Sequence, residues 1–200
     1  ILYPIFIPKI IDIKFNQEVN YSLKEDPVYD GVLDLAKACI AHAGSDSGLD
    51  ICVETEAPPG SGLGSSSSML VSLLAGLRCP DSVNLDKHNL AQDAYHVERV
   101  KLAISGGWQD QYACAFGGFN LIEFHPGTTK VTPLRLQADV LNDLESHCML
   151  CFTGGTRLSA NLIDKQVTAF KDPAGTSREG VLELKALAYE ANNLLLEGRT

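Results

Sequence analysis

The stretch Glu56-Ala57-Pro58-Pro59-Gly60-Ser61-Gly62-Leu63-Gly64-Ser65-Ser66-Ser67-Ser68 runs directly into the apolar segment Met69 to Leu77. A chain written this way must set a glycine-rich loop against the start of a buried helix. Glycine lets backbone N–H groups approach an anion closely. The helix adds unpaired N–H groups and a positive dipole end, and serine hydroxyls can donate to phosphate oxygens or hold a metal. The segment reads as a phosphate cradle suited to a nucleotide, and simple helix capping is the competing reading.

Composition narrows the partners. With 200 residues, 45% hydrophobic and 20% charged, the chain suits one large domain, or one domain plus part of another, and excludes disorder and coiled coil. A net charge of -9 argues against nucleic acid, so phosphate must be held by helix ends, glycine loops and a metal ion, for which Mg²⁺ is expected. Residues 57 to 77 carry no charge but contain Pro58, Pro59 and four glycines, which rules out a membrane-spanning helix there. Of six cysteines only Cys148 and Cys151 share a C-x-x-C spacing. Met149, Leu150 and Phe152 suggest a strand, on which residues three apart face opposite ways, so six free thiols and a reducing, cytoplasmic setting are expected. None of the five histidines has a metal-ligand spacing with a nearby acid. No signal peptide is visible, and the strand-like opening from Ile5 suggests a sequence cropped or processed at its start.

Periodicity predicts a strand near Ile10 to Phe15, a helix over Tyr29 to Ala43 stopped by Gly44, and a strand over Leu49 to Thr55 feeding the glycine loop. Helices follow over Ser66 to Leu77 and Leu85 to Ile104, the latter with Asn84 as N-cap. A short helix over Asp110 to Phe116, a turn at Gly117-Gly118, and a hairpin of Phe119 to Phe124 with Lys130 to Leu136 come next. A short helical or loop passage over Leu136 to Glu145 and a strand over Cys148 to Thr153 precede helices over Ala160 to Phe170 and Arg178 to Leu196. No Lys-Ser or Lys-Thr follows the glycines, so the loop is not a Walker A motif. Gly60-x-Gly62-x-Gly64 after two prolines also fits the dinucleotide fingerprint poorly.

Pro59-x-x-Gly62-Leu63-Gly64-Ser65-Ser66-Ser67 resembles the second signature of the GHMP small-molecule kinases, the superfamily of galactokinase, homoserine kinase, mevalonate kinase and phosphomevalonate kinase. Gly106-Gly107-Trp108-Gln109-Asp110-Gln111-Tyr112-Ala113, with Ala115-Phe116-Gly117-Gly118, resembles the segment carrying that family's catalytic aspartate. The Trp-Gln-Asp-Gln core is similar to fucokinases. Asp110-Gln111-Tyr112 with Phe116 to Asn120 and Phe152-Thr153-Gly154 is more similar to D-glycero-D-manno-heptose 7-phosphate kinases.

The resemblance implies an α+β GHMP kinase fold. Residues 1–146 would form an ATP-binding, ribosomal protein S5 domain 2-like N-terminal domain, and residues 147–200 the beginning of a ferredoxin-like C-terminal domain. The family's first and third signatures have no counterpart between Ile1 and Thr200, so the chain is expected to be the central part of a kinase. The cofactors implied are ATP and Mg²⁺, and the partner a small-molecule sugar or sugar phosphate. Pro59, Gly60, Ser61, Gly62, Leu63, Gly64, Ser65, Ser66 and Ser67 would cradle the nucleotide.

Asp110 would orient or deprotonate the attacking hydroxyl, with an N-cap of the following helix as the competing reading. Glu98 shares a helical face with Ala91, Ala94 and Leu102, so its carboxylate should point inward and need a partner. By resemblance it binds Mg²⁺ together with Ser66; the alternative is a surface ion pair with Lys101. Trp108, Gln111, Gly154 and Arg157 are candidates for the substrate, with Trp108 as core plug and Arg157 as ordinary surface arginine left open. A non-catalytic nucleotide- or sugar-binding module derived from such a kinase is the rival to an enzyme.

Overall fold

The computed structural model describes residues 9–12, 17–45, 48–55, 57, 61–78, 85–151, 159–172 and 177–200. It divides into two compact units, Ile1–Phe116 and Gly117–Thr200.

In the first unit, strand β1 (Lys9–Asp12) lies between β2 (Gln17–Asn20), which it pairs antiparallel, and β3 (Asp50–Val53), which it pairs parallel. The predicted first strand is thus present in its described part. Strand β2 was not anticipated, because an edge strand reading Gln-Glu-Val-Asn has one apolar residue and shows no hydrophobic alternation.

Helix α1 (Asp34–Ala43) begins later than the predicted Tyr29. Leu33 ahead of it holds a left-handed φ of 54°, and the Asp34 carboxylate accepts from the N–H groups of Asp30 and Gly31 at 3.2 and 2.8 Å. Buried Lys37 donates to Asp30 at 2.6 Å and to the Val28 carbonyl at 2.9 Å. The segment before α1 is therefore satisfied by side chains instead of by helical backbone bonds. Gly44 closes the helix as expected.

Helix α2 (Ser65–Arg78) follows the glycine loop, and α3 (Lys87–Tyr95) is capped by Asp86, whose carboxylate accepts from His88 and Asn89 N–H at 2.9 and 3.2 Å. Asn84, the expected cap, lies outside the described residues. The predicted single helix to Ile104 instead changes at His96 into a π-helical turn, His96–Lys101. Leu102 N–H bonds Val97 O and Ile104 N–H bonds Glu98 O, both at 3.1 Å. A short loop then leads to α4 (Gln109–Phe116). The core joins Ala38 and Cys39 of α1, Leu70, Val71 and Leu74 of α2, Leu90 and Ala94 of α3, and Val97. Burial pushes the Cys39 thiol up to about 12.

The second unit holds the expected hairpin, β4 (Asn120–His125) with β5 (Thr128–Pro133), and helices α5 (Ala138–His147), α6 (Ser159–Lys171) and α7 (Ser177–Leu196). Tyr189 of α7 donates to Glu123 of β4 at 2.8 Å. The hairpin lies in the same compact unit as these helices.

The predicted strand over Cys148 to Thr153 is not formed by Cys148–Cys151, and 152–158 lie outside the described residues. Met149 and Leu150 are 89% and 82% exposed, so their apolar character does not mark a buried strand, and the opposite-face argument for the two cysteines lapses. Five free thiols are seen among the described residues. No helix among those residues is long and apolar enough to cross a membrane.

Candidate active site

Glu98 is fully buried, as its inward-facing position predicted, and its two oxygens are loaded differently. Oε1 accepts from the Ser66 hydroxyl at 2.9 Å. Oε2 accepts from the Ser67 hydroxyl at 2.9 Å and from the Gln111 amide at 2.5 Å, with the Arg99 guanidinium 3.5 Å away. The salt-bridge partner is Arg99, not the Lys101 of the alternative reading. A buried carboxylate is costly unless it is paired and hydrogen-bonded, and here four side chains supply those contacts.

The elements that place these groups follow from sequence. Ser66 and Ser67 occupy the first turn of α2, where backbone N–H groups have no acceptor inside the helix and the dipole is positive. Gly62 and Gly64 take φ of 77° and 70° ahead of it, a left-handed backbone that an L side chain would strain. Of the other cradle residues, Ser61 has a buried hydroxyl without a partner among the described residues, Leu63 is half exposed, and Pro59 and Gly60 lie outside those residues.

Glu98 and Arg99 sit in the π-helical turn, where one extra residue per turn re-aims neighbouring side chains, a feature that recurs at functional sites. The chain then reverses through Ala103 at φ 52°. Arg99 Nη1 donates to the Ile104 and Ser105 carbonyls at 3.3 and 3.1 Å. Its guanidinium occupies the space beside Gly106, where an added Cβ would lie 2.1 Å from Arg99 Cζ. A side chain at 106 would have to displace the guanidinium from that position. Arg99 was missed in the sequence, since nothing in its spacing shows that it faces a glycine seven positions on.

Asp110 lies in the first turn of α4, exposed, with no hydrogen bond or ion pair to its carboxylate among the described residues. It is not the N-cap: the helix's opening backbone bond runs from Tyr112 N–H to Trp108 O at 3.3 Å, which places Trp108 at the cap. Its carboxylate and that of Glu98 both act on Cys114, whose thiol is pushed up by burial and then by these two charges.

Gln111 points inward and is fully buried, with its amide N–H on Glu98. Trp108 is 39% exposed and stacks flat on Tyr95, with centroids 3.5 Å apart and planes at 3°. It is therefore neither a core plug nor fully open. Gly154 and Arg157 lie outside the described residues.

Among the described residues no three His, Cys, Asp or Glu side chains gather as a metal cage. One carboxylate and one hydroxyl nevertheless fit Mg²⁺, which takes few protein ligands and completes its shell with substrate phosphates and water. Ser66 Oγ and Glu98 Oε1 are 2.9 Å apart. That matches the separation of about 2.9 Å between adjacent oxygens of an octahedron with bonds of about 2.0–2.1 Å.

Residues 30–118 match the GHMP kinases N terminal domain. The chain is 36% identical over 148 residues to a D-glycero-alpha-D-manno-heptose 7-phosphate kinase of Campylobacter jejuni, covering 71% of this chain and 44% of that protein. It is 28% identical over 153 residues to a bifunctional fucokinase/GDP-fucose pyrophosphorylase of Arabidopsis thaliana, covering 75% and 14%.

Among solved structures it superposes on a D-glycero-D-manno-heptose 1-phosphate kinase from Bacteroides thetaiotaomicron with a TM-score of 0.72 and 29% identity, over 96% of this chain and 58% of that one. A galactokinase from Lactococcus lactis, at 19% identity and a TM-score of 0.60, shares the fold. The chain thus spans less than half of the heptose kinase sequence it matches. The α+β fold, the matched domain and these relatives together show a GHMP kinases N terminal domain in this chain, covering part of a GHMP kinase structure.

Proposed function

We propose that the protein is an ATP- and Mg²⁺-dependent sugar kinase that phosphorylates a hydroxyl, the anomeric 1-OH, of a heptose 7-phosphate or a related sugar such as fucose. One observation carries the reading: the buried Glu98 carboxylate is tied to the phosphate-cradling helix start through Ser66 and to the Asp110 helix through Gln111.

The loop from Gly60 to Ser68 binds the nucleotide phosphates through N–H groups, hydroxyls and the dipole of α2. Glu98 and Ser66 would hold Mg²⁺, which would supply neutralisation of phosphate charge when bound. Asp110 orients the acceptor hydroxyl and takes its proton as the hydroxyl oxygen bonds to the γ-phosphorus and the bond to the ADP oxygen breaks. The exposed carboxylate, without a hydrogen bond or ion pair among the described residues, suits that role because it is open to an incoming hydroxyl. Trp108, held flat by Tyr95, offers its remaining surface to a sugar ring. In the whole kinase we read residues 147–200, with α6 and α7, as the beginning of a ferredoxin-like second domain after an ATP-binding domain of 1–146, working in a reducing cytoplasm.

The test is ADP formation from Mg-ATP by the full-length natural protein across free sugars and sugar 7-phosphates, with Asp110→Asn as control. Sugar-dependent ADP that falls by about 10²- to 10⁴-fold in the variant supports the reading. ATP binding with no turnover on any sugar would favour the non-catalytic module.

A further inference from the structure

Gln111 is the one residue that touches the metal-binding carboxylate from the helix carrying the proposed base. Its side chain has no solvent exposure, and its amide N–H donates to Glu98 Oε2 at 2.5 Å. Ser67 donates to the same oxygen at 2.9 Å, with Arg99 at 3.5 Å, whereas Oε1 accepts from Ser66 alone among the described residues. A carboxylate offers about four lone-pair positions, so those of Oε2 are taken by protein donors and one on Oε1 stays open. The Oε1 of Gln111 is itself buried with no hydrogen-bond partner among the described residues, so Glu98 is what fixes the amide, and that acceptor suits a donor that arrives with the bound ligand.

We propose that Gln111 is a positioning residue: it holds Glu98 by Oε2, so that only Oε1, beside Ser66, is presented to the cation, and it sets Asp110 relative to that cation. The inference rests on the kinase reading of the site. Mg²⁺ favours a single carboxylate oxygen per ligand, and a free carboxylate could rotate to offer both. Partners of this kind orient metal ligands and change affinity when removed. Because Gln111 is the next residue after Asp110, a shift of Glu98 is transmitted to the base through one backbone unit. Length matters: Asn at this position is one methylene too short to reach from the same helix.

The experiment measures Mn²⁺ binding by its EPR signal, with and without ADP, in the full-length natural protein and in Gln111→Met, together with the Mg²⁺ concentration for half-maximal turnover. The expected result is Mn²⁺ binding in the presence of ADP weakened by about 10- to 100-fold, and a matching rise in the Mg²⁺ requirement. ADP affinity without metal should stay as in the wild type. Loss of packing alone would lower the melting temperature without changing the ratio of ADP affinities measured with and without Mn²⁺.

Ser67→Ala removes the other donor to the same oxygen and keeps the question open if Gln111→Met fails to fold. It should weaken Mn²⁺ binding in the same direction. A Gln111→Met protein that binds Mn²⁺ with ADP as the wild type does would overturn the positioning role alone. A wild type whose ADP binding ignores Mn²⁺ would overturn the kinase reading beneath it.

Discussion

Among the described residues, every fully buried side chain lies in the unit ending at Phe116, and none lies between Gly117 and Thr200. Both units contain amphipathic helices. In the first, α2 and α3 bury Leu70, Leu74, Leu90 and Ala94 against one another and against α1. In the second, α7 leaves Leu182 and Leu184 each 66% exposed. An apolar stripe makes a helix, but only a partner face makes a core. The polar cluster sits where that core is. Ser67 is one turn before Leu70 on α2 and Glu98 follows Val97, so the packing that buries the apolar pair also fixes the hydroxyl and the carboxylate. A site that must hold a charge without water needs this rigidity around it.

Truncating the first core should cost the most. Leu74→Ala is expected to remove about 2–5 kcal/mol of unfolding free energy in denaturant titration. A loss below about 1 kcal/mol would mean that the packing of α2 does not support the site as described. Next comes Gly106→Ala, whose Cβ would drive the Arg99 guanidinium off two carbonyls and away from Glu98. Its expected cost is about 1–3 kcal/mol, read by thermal melting and relieved in part by adding Arg99→Ala.

A smaller effect is predicted at acid pH. Burial alone would raise the Asp93 carboxyl, but Arg78 and His42 outweigh it and hold the group below its ordinary 3.8. A depressed folded pKa gives stability that is present above 3.8 and lost as pH falls through the lower folded value. Asp93→Asn should therefore flatten the acid limb of the stability profile by about 1 kcal/mol or less. Last, Leu184→Ala on α7 should change stability by no more than about 0.5 kcal/mol in this chain. A loss as large as that of Leu74→Ala would erase the contrast between the units.

The sequence made helices α2, α4 and α7 and the hairpin legible because their signals are local: the serine run, the glycine pair at 117–118, and long apolar periodicity. Other features depend on geometry that periodicity does not encode. A π-helical turn leaves the apolar pattern of Leu90, Ala94 and Val97 looking like a continuous helix, so the break at His96 was invisible. The start of α1 was misplaced because Val32 and Leu33 fit the apolar stripe, while the Asp34 carboxylate and Lys37 hold that segment in another form. At the site, the pairing of Glu98 with Ser66 was readable from family motifs. The inward turn of Gln111 and the Arg99 contact with Gly106 arise only from tertiary packing.

Two carboxylates divide the labour in the proposed mechanism, Glu98 for the cation and Asp110 for the proton. The most direct measurement is Mn²⁺ binding in the presence of ADP by Asp110→Asn beside Glu98→Gln, in the full-length natural protein. The expected result is wild-type binding in Asp110→Asn, and a loss of at least about 10-fold in Glu98→Gln. Equal losses in both variants, or none in Glu98→Gln, would contradict it.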